Sequence, residues 1–330
     1  MLKSLKMVLA SAVIALGSAS ASAGDNYRLT LTGGSPAGLW SMLGAGIDSA
    51  LRQNHPDSVV TYQTSGGGLA NVAIVSSGQA DLGVIHNIEL KAAAEGLTPF
   101  KGPIENLRTI AVLYNWAPMQ IVITRSFADK YGITSMADIA VKKPPLRVAV
   151  NQRGNMVQEV NRQIFAAYGI TFKDIESWGG QIIYAPGGEM VNLFNDRRID
   201  MGGNGVFVPD KRFVQVSRNM DLVILPLSQD VITKVSMSTG AEPYIIKANG
   251  YEWQKNEIQT VALSAVLVAS DAMSDDTAYD LTKAVAGNVD RIREVHKAMG
   301  SLSSDLMVTL KVTPYHPGAV KYYREVGLME

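Results

Sequence analysis

Polar and apolar positions alternate with period two over residues 27–32 (Tyr-Arg-Leu-Thr-Leu-Thr), which predicts a strand. The turn Gly33-Gly34-Ser35-Pro36-Ala37-Gly38 follows, and Trp40, Leu43, Ile47 and Leu51 then recur at helical spacing as far as His55-Pro56. Residues 59–64 predict a second strand, which runs into Ser65-Gly66-Gly67-Gly68 and a helix opening at Leu69, Val72 and Ala73. Residues 82–85 form a third, wholly apolar strand. A unit of strand, glycine loop and helix that repeats in this way predicts a mostly parallel sheet with helices on its faces.

A second set begins at residues 147–150 and the turn Asn151-Gln152-Arg153-Gly154-Asn155. Val157, Val160, Asn161, Ile164 and Tyr168 share one helix face, and Gly169 ends it. Residues 182–185, a helix over 189–194 and a short strand entering the glycine turn at 200–205 come next. Residues 260–269 are strongly apolar and are expected to cross back to the first set. Leu281, Val285, Val289, Ile292 and His296 predict one long amphipathic helix, and a last helix follows His316-Pro317-Gly318. The expected fold is α/β: two lobes, residues 24–118 with 262–330 and residues 119–261, joined where the chain crosses near Pro118 and Ala262.

Composition narrows the function. The 330 residues carry 30 Lys+Arg and 30 Asp+Glu, so no basic excess is available for a nucleic-acid backbone. Cysteine is absent, which removes disulfides, thiolate metal sites, cysteine nucleophiles and a lipid-modified cysteine. Lys3 and Lys6, the apolar run at 7–16 and the small residues Ala21-Ser22-Ala23 read as a signal peptide over 1–23, cleaved after Ala23. That run is shorter than the roughly 20 residues a membrane span needs. The mature chain, with 28 basic and 30 acidic residues, is expected in the periplasm, not itself membrane-spanning and monomeric.

Signatures of catalysis are thin. A nucleophile elbow needs glycine on both sides of Ser35 at a spacing of two, and position 37 is alanine. The four histidines form no His-Glu-x-x-His pair, and neither a dinucleotide fingerprint nor a Gly-Lys-Ser/Thr loop is present. No enzyme activity, metal or cofactor is expected.

The glycine turns point to binding instead. A helix start offers unpaired N–H groups and a partial positive charge, and glycine lets an anion approach them. Three such starts occur, at Gly33-Gly34-Ser35, Ser65 to Gly68 and Gly154-Asn155. Each alone equally describes an ordinary cap; together they predict an anion socket at the carboxyl ends of the strands. Arg153 either forks onto a ligand carboxylate or is a solvated surface residue. Asn71 either donates to a ligand or caps locally. Trp40 either closes over a ligand or packs in the core. His86 and Asn87 follow the third strand, Asn204 the later one, and Asn151 opens the Arg153 turn, where ligand-binding side chains usually project. Tyr114-Asn115-Trp116 either lines a cleft or packs the crossing.

Several strings resemble one family. They are Leu31-Thr32-Gly33-Gly34, residues 64–71 (similar to the family's Thr-x-Gly-Ser-Val-x-Asn), Gly78-Gln79-Ala80-Asp81-Leu82, Pro99-Phe100-Lys101-Gly102 and Leu107-Arg108-Thr109-Ile110-Ala111. The most specific is His316-Pro317-Gly318-Ala319-Val320-Lys321-Tyr322-Tyr323-Arg324-Glu325. The mature chain resembles the TAXI-type substrate-binding proteins of tripartite ATP-independent periplasmic (TRAP) transporters. The resemblance implies a type II periplasmic binding-protein fold, with a hinge and a cleft between the lobes. It also implies capture of a small organic anion, a glutamate-like amino acid or a di- or oxo-carboxylate, and delivery to TRAP permease membrane subunits. A ligand sensor feeding a membrane signalling partner is the alternative.

The family's ligand loops fall on Gly34 and Ser35, on Ser65, Gly67, Gly68 and Asn71, and on Asn151, Arg153, Gly154 and Asn155. Three departures lie in them: Gly68 replaces the family's serine, Arg153 stands where proline is common, and Trp40 replaces a frequent tyrosine. The ligand is therefore not assumed to be glutamate itself.

Overall fold

A computed structural model describes residues 26–36, 38–153 and 155–330; residues 1–25, which include the expected signal peptide, Ala37 and Gly154 lie outside the described residues. The first sheet opens with β1 (Arg28–Gly33), α1 (Leu39–Asn54), β2 (Val59–Thr64), α2 (Gly68–Ser76), β3 (Leu82–His86) and α3 (Asn87–Ala94). β1 pairs in parallel with both β2 and β3, so their carboxyl ends lie along one edge. β3 is buried on both faces, which accounts for its unbroken apolar run.

β4 (Leu107–Thr124) then carries the chain across, followed by α4 (Arg125–Tyr131) and α5 (Met136–Lys142). The second sheet repeats the pattern: β5 (Arg147–Ala149), α6 (Met156–Ala167), α7 (Phe172–Ser177), β6 (Gln181–Ile183), α8 (Gly187–Asn195) and β7 (Met201–Gly205). Here β5 is the parallel centre between β6 and β7. After α9 (Lys211–Ser217), β8 (Leu222–Ile224) adds to β4, and α10 (Gln229–Thr239) leads to β9 (Glu242–Ile246).

β10 (Ile258–Ser270) returns the chain to the first sheet. The spatial order is β2-β1-β3-β10-β4-β7-β5-β6, so each half is a parallel triple closed by one antiparallel crossing strand. The crossing strands pair over Ala262↔Pro118, Leu263↔Ala117 and Ala265↔Tyr114, with irregular register between Leu263 and Val266. Pro118 is accommodated because β4 changes neighbour there, from β10 to β7, and its carbonyl accepts from Val206 N–H.

The C-terminal segment packs back on the first half as α11 (Asp275–Gly287), α12 (Val289–Arg293), α13 (Ser304–Met307) and α14 (Pro317–Glu325). The single helix expected over 281–296 is in fact two. Asn288 leaves helical geometry at φ −123°, and its side-chain amide donates to Ala284 O, which ends α11. The glycine turn expected at 202–205 is β7 itself: Gly202 lies against Phe194 and Met190, and Gly203 against Asn161, where a side chain would not fit. The string at 316–318 also has a structural reason. His316 Nδ1 accepts from Gly318 N–H, and Gly318 lies so close to Asp275 that a Cβ there would come within 2.0 Å of its carbonyl.

Candidate functional site

The floor between the halves is aromatic. Tyr114, at the crossing, is 5% exposed and accepts a 3.1 Å hydrogen bond from Trp40 Nε1. Trp40 stacks obliquely on the His86 ring at 4.8 Å, and Tyr114 meets Phe207, just beyond β7, edge to face at 5.0 Å. One contiguous set of rings thus runs from the end of β3 to the end of β7. Burial is the main reason the Tyr114 phenol is pushed far above its ordinary range, so it stays a neutral hydroxyl. A cavity of about 490 Å³ opens between the halves, with Ile88, Ala92 and Pro99 on one wall and Asn155, Met156 and Glu159 on the other. A second, of about 450 Å³, is lined by Trp116, Phe207, Tyr244 and Lys297.

The glycine loops admit the chain's own groups. Gly33 is bare because the Tyr62 ring lies on it, and Tyr62 Oη donates to Gly34 O at 3.1 Å. Ser35 is exposed and its carbonyl closes the turn before α1. The Ser65 hydroxyl sits between Gly33 O and Asn71 Oδ1, and accepts from Gly67 N–H at 3.0 Å. Gly67, at φ 102° and ψ −163°, takes a backbone shape open only to glycine.

At Gly68, which opens α2, a Cβ would lie 2.6 Å from the carboxyl carbon of Glu89 and 2.8 and 2.9 Å from its oxygens. Glu89 is 4% exposed; it accepts from His86 N–H at 3.0 Å, and the His86 ring approaches to 3.2 Å. The chain's own carboxylate thus lies beside the α2 start. The sequence signal for Glu89 was only that of a capping acid three residues into α3.

Asn71 and Asn87 bond within the fold. Asn71 is buried, accepts from Thr32 Oγ1 and donates to Val84 O at 2.7 Å, bracing α2 on β1 and β3. Asn87 is buried, donates to Gly240 O at 2.7 Å and accepts from Ser264 N–H at 3.0 Å, tying α3 to β10 and the end of α10.

In the second half, Asn151 sits at φ 79° and donates to Asn204 Oδ1 at 3.0 Å. A Cβ on Gly187, which opens α8, would lie 2.3 Å from Arg212 Nη1 and 2.6 Å from Asn204 Nδ2. Arg212 is held by both oxygens of Asp210, at 2.8 and 2.7 Å, which raises its pKa further. Arg153 is exposed and its guanidinium lies 3.6 Å from the centre of the Tyr184 ring. Stacking uses the face of a guanidinium and keeps its in-plane N–H groups for another partner. Asn155 caps α6, accepting from Val157 N–H at 2.7 Å, and faces the larger cavity.

Structure thus gathers Ser65, Gly67, Gly68 and Asn71 at one helix start, Trp40 and His86 on the aromatic floor, and Asn151 and Asn204 with each other in the second half. Tyr62, Glu89, Phe207 and Arg212 complete these groups and were not singled out in the sequence. Among the described residues no cluster of three or more His, Asp or Glu is placed to hold a metal ion, and no helix is long and apolar enough to cross a membrane.

Comparison with known structures bears on the fold. The chain is similar to the PhnD1 protein of Prochlorococcus marinus, solved with methylphosphonate (TM-score 0.57, 12% identity, 92% of this chain and 99% of that one). It is also similar to MatC of Rhodopseudomonas palustris, solved with malate (TM-score 0.51, 12% identity, 83% and 89% covered). A third is a TctC solute-binding protein from Polaromonas (TM-score 0.51, 14% identity, 83% and 88% covered). These likenesses, with the repeated sheets and two crossing strands, give the type II periplasmic binding-protein fold of two lobes about a cleft. The sequence itself matches the NMT1-like family over residues 31–327, and the chain belongs to that family.

Proposed function

We propose that this protein is an extracytoplasmic solute-binding protein that captures a small organic acid between its two halves and hands it to a membrane permease of the TRAP type. The observation that carries the reading is the cavity of about 490 Å³ walled by α3 on one side and by α6 and α10 on the other. A volume of that order suits a small metabolite. The division is taken to fall near residues 118 and 262, where β4 exchanges β10 for β7 and β10 exchanges β4 for β9, and the irregular β4–β10 pairing would give the halves a place to bend.

The anionic end of the ligand is assigned to the second half. Arg153 offers its N–H edge there, and the α8 start faces a guanidinium and an amide rather than a carboxylate. A micromolar dissociation constant corresponds to about −8 kcal/mol, and a few charge-assisted bonds of about 1.5–3 kcal/mol each supply much of the specificity. The signal peptide expected from the sequence supports export to the periplasm, and the resemblance to TAXI-type proteins supports the TRAP partner.

The test is mass spectrometry of whatever co-purifies with protein taken from the periplasm, followed by a thermal-shift panel of organic acids. A bound acid and a melting temperature that rises with its concentration support the reading. Only neutral sugars, or turnover of the acid, would overturn it.

A further inference from the structure

We infer that the cavity of about 450 Å³ is a second binding site, for a small aromatic carboxylate, separate from the larger cavity and independent of what that one captures. No residue lines both cavities. The walls of the second come from distant parts of the chain: Asn115 and Trp116 on β4, Phe207 after β7, Tyr244 on β9, and Lys297 and Ser301 in the C-terminal segment. Trp116 Nε1 donates to Ala298 O at 2.9 Å, which ties the C-terminal wall to β4. Phe207 is set edge to face on Tyr114 at 5.0 Å. The aromatic frame is therefore held by the fold itself, and a guest need not order it.

The lining fits one chemistry. The rings of Trp116, Phe207 and Tyr244 offer a flat apolar guest faces and edges to pack on. Lys297 is exposed, no carboxylate lines the cavity, and among the described residues the Lys297 ammonium makes no ion pair. The side chains of Asn115 and Ser301 and the Tyr244 hydroxyl make no hydrogen bond among those residues either. Burial raises the Tyr244 phenol above its ordinary value, so at neutral pH it stays protonated and able to donate. The larger cavity differs. Its Glu159 already accepts from Arg162 and Gln163, and its Ser238 and Thr239 hydroxyls donate to Val235 O. Polar groups that the protein leaves unpaired on a fixed aromatic frame are the mark of a ligand site. A carboxylate would accept from the Lys297 ammonium and from a neutral donor, and its ring would cover the apolar walls. A carboxylate without a ring leaves those walls in water, and a ring without a carboxylate leaves the ammonium unmatched.

The probes are indole-3-acetate and benzoate, with indole, benzyl alcohol and acetate as their halves. Calorimetric titration of the mature protein is expected to show binding of an aromatic carboxylate, and binding of each half-probe weaker by about tenfold or more. Lys297→Ala, at an exposed position, is expected to weaken the aromatic acid about fivefold, and Lys297→Arg to keep most of the affinity. Ser301→Trp, a surface change that fills this cavity, should abolish the binding, and Gln158→Trp, which obstructs the larger cavity, should leave it intact. No heat from either aromatic acid at millimolar concentration overturns the inference, as does a half-probe that binds as tightly as the whole or a Lys297→Ala protein of unchanged affinity. Binding lost in Gln158→Trp and kept in Ser301→Trp would put the acid in the larger cavity, which overturns this second site and leaves solute capture standing.

Discussion

The α2 and α8 starts occupy equivalent places in the two halves, and each is met by a side chain from the element after the next strand. After β3 that side chain is Glu89; after β7 it is Arg212. The first is a carboxylate beside a positive helix end, a complementary arrangement. The second is a guanidinium against a positive helix end, balanced sideways by Asp210 and by the exposed Glu189 in the first turn of α8. The difference teaches that a glycine at a helix start shows that something approaches closely, and nothing about its charge or whether it comes from outside.

The comparison breaks most easily at Glu89. Glu89→Ala removes a buried charge-assisted bond and opens a void, and is expected to cost about 3 kcal/mol in urea unfolding. Arg212→Ala, at a partly exposed ion pair, is expected to cost about 1 kcal/mol or less. Equal losses would mean that the two starts are not different in kind.

A double-mutant cycle sharpens the same point. Gly68→Ala overpacks the Glu89 carboxylate and is expected to cost about 1–3 kcal/mol. In a Glu89→Ala background the penalty should vanish, since alanine is otherwise the better helix residue. Gly67→Ala meets no neighbour and strains only the backbone, so its penalty of about 1–3 kcal/mol should be the same in both backgrounds. A Gly68 penalty that survives loss of Glu89 would dissolve the pairing.

On the second half, Arg153→Ala is expected to weaken binding of the co-purified acid about tenfold, or about 1.4 kcal/mol, with little change in melting temperature. Calorimetry that finds unchanged affinity would remove Arg153 from the site.

The smallest effect is a control far from both starts. Burial lowers the His316 pKa below its usual value, and the neutral ring is fixed by Nε2 against Met273 O and Nδ1 accepting from Gly318 N–H. The unfolded chain then takes up the proton more readily, so stability is complete above about pH 6.5 and falls on acidification below it. The melting temperature should drop between about pH 7 and pH 5 by a step that His316→Asn lacks, without altering ligand preference.

The parallel cores were legible because β1, β2 and β3 carry their patterns openly: alternation at the edge, an unbroken apolar run where both faces are covered. The length of β4 was not, since its apolar residues continue through Pro118, which reads as a stop and is instead the point where the strand changes partners. The break at Asn288 was hidden because α11 and α12 keep their apolar residues in nearly one phase. In the site, the glycine loops and Arg153 were visible as local strings. Tyr62, Glu89 and Arg212 were not, because each reaches its glycine through pairing that only the folded sheet creates.

The most direct test of the proposed capture is a crystal structure with the co-purified acid in place. The account predicts the acid between the two halves, with its carboxylate within hydrogen-bond distance of Arg153. An acid seated elsewhere, or one whose carboxylate leaves Arg153 untouched, would contradict it.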